Sequence, residues 1–348
     1  MLGPPPRRRR RARIARPFLP LLPLLLLAIA LTGAVPGCGL LPPRLERLLI
    51  EPAAAYIPAG GRQTFRTVGL MSDGTRVPIA ARFVASGGSI TSEGTFTAAG
   101  VGSYRVIATA VTESLADTAD VNVTPATANN YTTTFPLTEN PISEGGRWIN
   151  GGTAGGDWTD ASTGAGFAIG HQVGNPYTDA TAILRGDWAP DQSAAARAFM
   201  RDQNDLCFQE VELRLRSKIS PSRNTGYEVS FKAAEGQWAY LTIVRWNGKV
   251  GDFTALFTAQ GAKYGLHDGD VISASIVGNI ITAYRNGVLL GSARDDTYTA
   301  GSPGMGFNLE NKNTGCRGTN GDYGFTSLTA TDAPSASRLA VRAGRQIP

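Results

Sequence analysis

Glu210, Glu212 and Arg214 stand at alternate positions of the run EVELRLR, with Val211, Leu213 and Leu215 between them. A period of two is the pattern of a strand with one apolar and one polar face. Three ionisable groups therefore share a face, separated by ~6.6 Å per step. Two carboxyl groups so placed are the equipment for breaking a glycosidic bond, one as proton donor and one as nucleophile. The arginine speaks against that use. A cation beside two acids lowers their pKa and opposes proton donation. The run is thus expected to be an ordinary polar strand face, and no catalytic residue is expected in the chain.

The remaining candidates for chemistry are sparse. His171 and His267 are isolated. Each reads as a loop hydrogen-bonder, with His171 as a base near Tyr177 or Tyr240 the alternative. There is no serine elbow, phosphate loop or metal-ligand motif. No cofactor is expected, and loop acids such as Asp295 and Asp296 leave calcium open. Aromatic residues are more informative. Trp148, Trp158, Trp188, Trp238 and Trp246 all fall in the second strand-rich segment, 131–332. Indole faces stack on sugar rings, but sandwich cores also use tryptophan. Trp158, in a glycine-rich loop beside Asp157, is the expected exposed ring. With Glu212, Arg214 and Arg245 it forms the candidate ligand-binding set.

The elements that must position these groups are strands. The chain holds 42 glycines and only 18% charged residues, the profile of a turn-rich β protein. Asp270 to Phe307 shows this best. Val271 to Val277 alternates, Gly278-Asn279 breaks, Ile280 to Tyr284 rebuilds a strand, and Asn286-Gly287 forms a hairpin turn before Val288. Asn-Gly tolerates the positive φ that a type I′ turn requires. GYEVSFK, WAYLTIVRW and Phe253–Phe257 supply further strands. Phe325 to Thr331 is expected to return beside Thr132–Phe135. One helical surface turn is expected at Ser193–Arg201.

The first 37 residues lie outside this pattern. Seven arginines precede the apolar run Phe18–Leu31, which is short for a membrane span and suits an export signal. Without those arginines 26 bases face 28 acids, a balance of −2. The basic pI therefore belongs to the leader and is no evidence for nucleic-acid binding. Val35-Pro36-Gly37-Cys38 resembles the bacterial lipobox, which implies a lipid on Cys38 and a membrane-anchored envelope protein. Cleavage near Ala34 or Gly37 with plain secretion is the alternative. Cys207 and Cys316 remain, an even pair suited to an oxidising compartment and expected to form a disulfide. Two buried free thiols are the other reading.

Two further resemblances cover most of the chain. GGSITSEGTFTAAGVGSYRVIATA resembles the bacterial immunoglobulin-like domains of group 2, which implies a spacer or adhesion module over 45–125. The order GD-x-I-x-A-x-I-x-G-N-x-I, Y-x-NG, then G-x-P-G-x-G-F resembles the concanavalin-like lectin, glucanase and laminin-G-like fold, over 131–332. A glucanase of that fold is expected to carry a third acid where Arg214 stands. The expected organisation is a signal peptide at 1–37, a lipidated tether at 38–44, the two domains, and a disordered tail at 333–348. The expected fold is all-β, a small immunoglobulin-like sandwich followed by a larger jelly-roll sandwich. The expected function is non-catalytic binding of a glycan or other surface ligand. A polysaccharide-degrading glycosidase or lyase, and a purely structural adhesion module, are the alternatives.

Overall fold

The computed structural model describes residues 42–154, 158–164, 166–171, 178–203, 207–310 and 316–333. The protein is all-β, with strands in five sheets. None of its described helices is long and apolar enough to cross a membrane.

Residues 45–124 build three small sheets. Their apolar positions meet in one core that includes Ile50, Phe65, Phe96, Val106 and Val121. Residues 130–331 build two large sheets that face each other. The seven-stranded sheet runs Trp148–Asn150, Asp179–Leu184, Ser302–Glu310, Phe208–Ser220, Arg223–Lys232, Tyr240–Gly248, Phe253–Gln260. The eight-stranded sheet runs Ala161–Gly164, Phe167–Gly170, Tyr323–Thr331, Gln192–Met200, Val271–Val277, Ile280–Arg285, Val288–Arg294. Asn130–Thr133 also pairs with Tyr323–Thr331, as the sequence led one to expect.

Strict alternation assigns the faces. Val211, Leu213 and Leu215 meet Val229, Phe231, Leu241, Ile243, Met305 and Phe307 in the core between the two sheets. Ala194, Ala196 and Ala198 close that core from the opposite sheet. The helix expected at Ser193–Arg201 is thereby corrected: Gln192–Met200 is strand, paired with Tyr323–Thr331 on one side and, over Gln192–Arg197, with Val271–Val277 on the other. Alanine favours a helix in isolation, but two flanking ladders and a core that accepts only small side chains override that preference. The Asn286-Gly287 turn forms as expected, with φ of 48° and 74° between paired strands.

The smaller sandwich meets the outer face of the eight-stranded sheet. Arg197, 2% exposed, donates to the carbonyl of Ile50 and to Asp117 at 3.0 and 2.8 Å. Tyr56 bonds Ser193 and Thr329, and Arg76 pairs with Asp268 at 2.6 Å. The outer face of the seven-stranded sheet is left on the far side of the molecule.

Candidate functional site

That far face carries the chemistry. Phe208, Glu210, Glu212 and Arg214 alternate along the central strand. The register places Glu210 between Lys232 and Asn308, and Asn308 opposite Asp179. Glu212 lies between Ser230 and Gly306, and Arg214 between Glu228 and Gly304. Groups from four strands therefore converge on one face, because directly opposed residues of an antiparallel ladder share it.

Arg214 is the hub and is fully buried. Its guanidinium meets Glu228 at 2.7 Å, Glu212 at 2.5 Å and Asp179 at 3.1 Å. Trp158 and Trp246 close over it, with ring centroids 5.5 and 5.6 Å from the guanidinium carbon. The two indoles pack edge to face, 4.6 Å apart. The Trp246 N–H donates to Glu228 and the Trp158 N–H to the Gly248 carbonyl. Gly306 makes this possible. A Cβ there would stand 2.2 Å from Glu212 Oε2 and 2.7 Å from an Arg214 nitrogen.

Three carboxyl groups against one guanidinium leave a formal excess of two negative charges in a buried space. Removal from water disfavours the ionised forms. Burial accordingly pushes the carboxyls of Asp179 and Glu212 well above their usual range, and the neighbouring acids add to the rise while Arg214 opposes it. One oxygen of Glu212 has no hydrogen-bond partner among the described residues. Oxygens of Asp179, Glu212 and Glu228 lie within 4.8 Å of one another, close enough to hold a metal ion. The guanidinium already supplies a cation to that group, so the donor set does not call for a metal.

Glu210 lies one step along the strand and is less enclosed. Asn308 donates to it at 2.7 Å and the Tyr240 hydroxyl donates to its other oxygen. Burial again raises its pKa, against the lowering by the Tyr240 bond. Lys232 sits beside it, 5.5 Å from the Phe208 ring and 5.9 Å from that of Tyr240. Trp238, at the entrance to the Tyr240 strand, is 53% exposed.

Several sequence expectations are corrected here. Trp158 is buried, not exposed, because it roofs Arg214; the exposed indole is Trp238. Glu212 and Arg214 are internal partners, not ligand-facing groups. Arg245 points to the opposite side of its strand and pairs with Asp295 at 2.6 Å. Asp295 also accepts from Tyr227 and Thr297. Arg216 leaves the row at a bulge, where φ is 46°, and donates to the carbonyls of Pro190, Gly278 and Tyr298. The expected lowering of the acid pKa values by Arg214 is outweighed by burial. Tyr240 does take part, as partner of Glu210, whereas Tyr177, Asp157 and Cys38 lie outside the described residues. Glu228 and Asp179 were missed. GYEVSFK places Glu228 on a polar face, but only the register shows what it opposes. The Cys207–Cys316 disulfide forms, with Cα atoms 5.0 Å apart.

No protein-family model and no curated protein matches the chain. Solved structures are similar to it in fold. Carbohydrate binding module CBM66 from Bacillus subtilis is 12% identical, over 55% of this chain and 94% of that one, with a TM-score of 0.35. A β-glucanase from Bacillus licheniformis is 13% identical, over 59% and 95%, at 0.34. Porphyranase B from Zobellia galactanivorans is 10% identical, over 60% and 94%, at 0.38. These are concanavalin-like jelly rolls, the class that the larger pair of sheets defines. Hydrolases stand beside a binding module among them. The expectation of a chain without catalysis is corrected on this chain's own residues, since the outer face carries a row of acids in which Glu210 is only partly enclosed. Its physical premise fails as well, since burial lifts the acids that the arginine was expected to hold down.

Proposed function

We propose that the protein acts on a polysaccharide laid across the outer face of the seven-stranded sheet, and that Glu210 is the proton donor. The carrying observation is Glu210 itself. It is held by Asn308 and Tyr240, is less enclosed than the Arg214 cluster, and has a carboxyl raised by burial. Cleavage of an acetal needs a proton delivered to the leaving oxygen, and a carboxyl whose pKa is raised by burial keeps its proton to higher pH than an ordinary glutamate does. Trp238 offers a stacking surface near the same end of the sheet.

Glu210→Gln should lower reducing-sugar release from a susceptible polysaccharide about 10²–10⁴-fold. The wild-type rate should fall as pH rises through the pKa of Glu210, which lies above the ordinary 4.5 of a glutamate. A wild type that is retained on polysaccharides yet releases no reducing ends from any of them would replace this reading with binding alone.

The reading includes an envelope address. The arginine head, apolar run and lipobox-like Val35–Cys38 support export and a lipid on Cys38. The smaller sandwich then serves as an immunoglobulin-like spacer. Cys38→Ala should move the protein from the membrane fraction to the soluble fraction; membrane retention of the variant would assign the anchor elsewhere.

A further inference from the structure

Resting on that site, the charge on its strands defines the class of glycan it takes. Asp179, Glu210, Glu212, Glu228 and Glu310 all lie on the outer face of the seven-stranded sheet, as the alternation and register require. The cations on the same strands and face, among the described residues, are Arg214 and Lys232. Neither is presented to a ligand. Arg214 is fully buried, divided among three carboxyl groups and roofed by Trp158 and Trp246. Lys232 is 5% exposed and lies against the Phe208 and Tyr240 rings. The groups left for a ligand are of another kind. They are the partly exposed Glu210 and the half-buried Phe208 and Tyr240, with the exposed Trp238 two residues ahead of Tyr240 in the chain.

We infer that this face selects uncharged polysaccharide and rejects chains bearing carboxylate or sulfate groups. With Glu210 holding its proton, a fixed anion brought here would still meet a formal excess of two acids, and Arg214 and Lys232 are both enclosed rather than placed to form a bidentate or point-charge contact. A neutral sugar requires only ring stacking and hydroxyl hydrogen bonds, which the aromatic rings and the acid oxygens supply. The selection is one of exclusion, since like charge across an interface suppresses the wrong partner.

The test is retardation of the whole protein in gels cast with a neutral polymer (mixed-linkage β-glucan or agarose), a carboxylated one (polygalacturonate) or a sulfated one (carrageenan), run in the cold at low and high salt. Retention on one neutral polymer should be at least about tenfold tighter than on either anionic polymer, and added salt should narrow the gap. Glu310→Gln should narrow it too. Equal retention on both kinds overturns the inference. So does a preference for an anionic polymer that Lys232→Gln abolishes, and in that case the polysaccharide reading stands. Failure to bind any polymer removes the polysaccharide reading and the inference together.

Discussion

Arg214→Ala should lower the free energy of unfolding by about 3–5 kcal/mol, because it leaves three buried carboxyl groups without their cation. Chemical denaturation of the two proteins measures the difference. The loss should depend on pH with a defined sign. The carboxyls of Asp179 and Glu212 are raised in the folded protein. Their contribution is therefore fully present below the unfolded values, near 4, and is lost as pH rises through the folded values. Removing Arg214 removes the interaction that holds those values down, so the penalty should be larger at alkaline pH than near pH ~4. Arg214→Met combined with Asp179→Asn, Glu212→Gln and Glu228→Gln should recover most of the loss, since it takes away both signs of charge. A penalty under ~1 kcal/mol that does not vary with pH would show that water, not Arg214, neutralises the cluster.

Replacing Cys207 and Cys316 by alanine should cost ~4–5 kcal/mol in the chain-entropy model, given their separation of 109 residues. The bridge joins the residue just before the Glu210 strand to the segment that follows the neighbouring Ser302–Glu310 strand. It thus pins one end of the two strands that carry Glu210 and Asn308. Peptide mapping without reductant should recover the linked peptides. Two free thiols in material folded under oxidising conditions would refute the bond, and an unchanged denaturation midpoint in the double variant would refute its contribution.

The strands and turns of the larger sandwich were legible because their signals are local. EVELRLR alternates, and Asn286-Gly287 has a backbone that few other pairs adopt. The helix expected at Ser193–Arg201 failed for the converse reason. A run of alanines carries no period, and its state is decided by the two strands that flank it. The site was half legible. Glu210, Glu212 and Arg214 can be read as one row, but the sign of the acid pKa shifts depends on burial, which a row does not reveal. Asp179 and Glu228 come from other strands, so only the register joins them to the row. Trp158 was misread because a loop tryptophan among glycines is exposed only if nothing lies beneath it, and here Arg214 does.

Tyr323–Thr331, the last described strand, does not sit at an edge. It is paired with Phe167–Gly170, Asn130–Thr133 and Gln192–Met200, and it forms the middle of the eight-stranded sheet. Val271–Val277 can dock on one side of Gln192–Met200 as soon as it emerges, but the other side stays open until the chain has reached Thr331. An emerging polypeptide therefore carries an unsatisfied ladder, the kind of edge that recruits other chains, from the emergence of Gln192–Met200 until that of Tyr323–Thr331. Closure of the sandwich waits for the final strand to thread between partners made long before it, a pairing order that is intrinsically slow. Shortening the chain by that one strand would remove the centre of the sheet and leave two halves with no ladder between them.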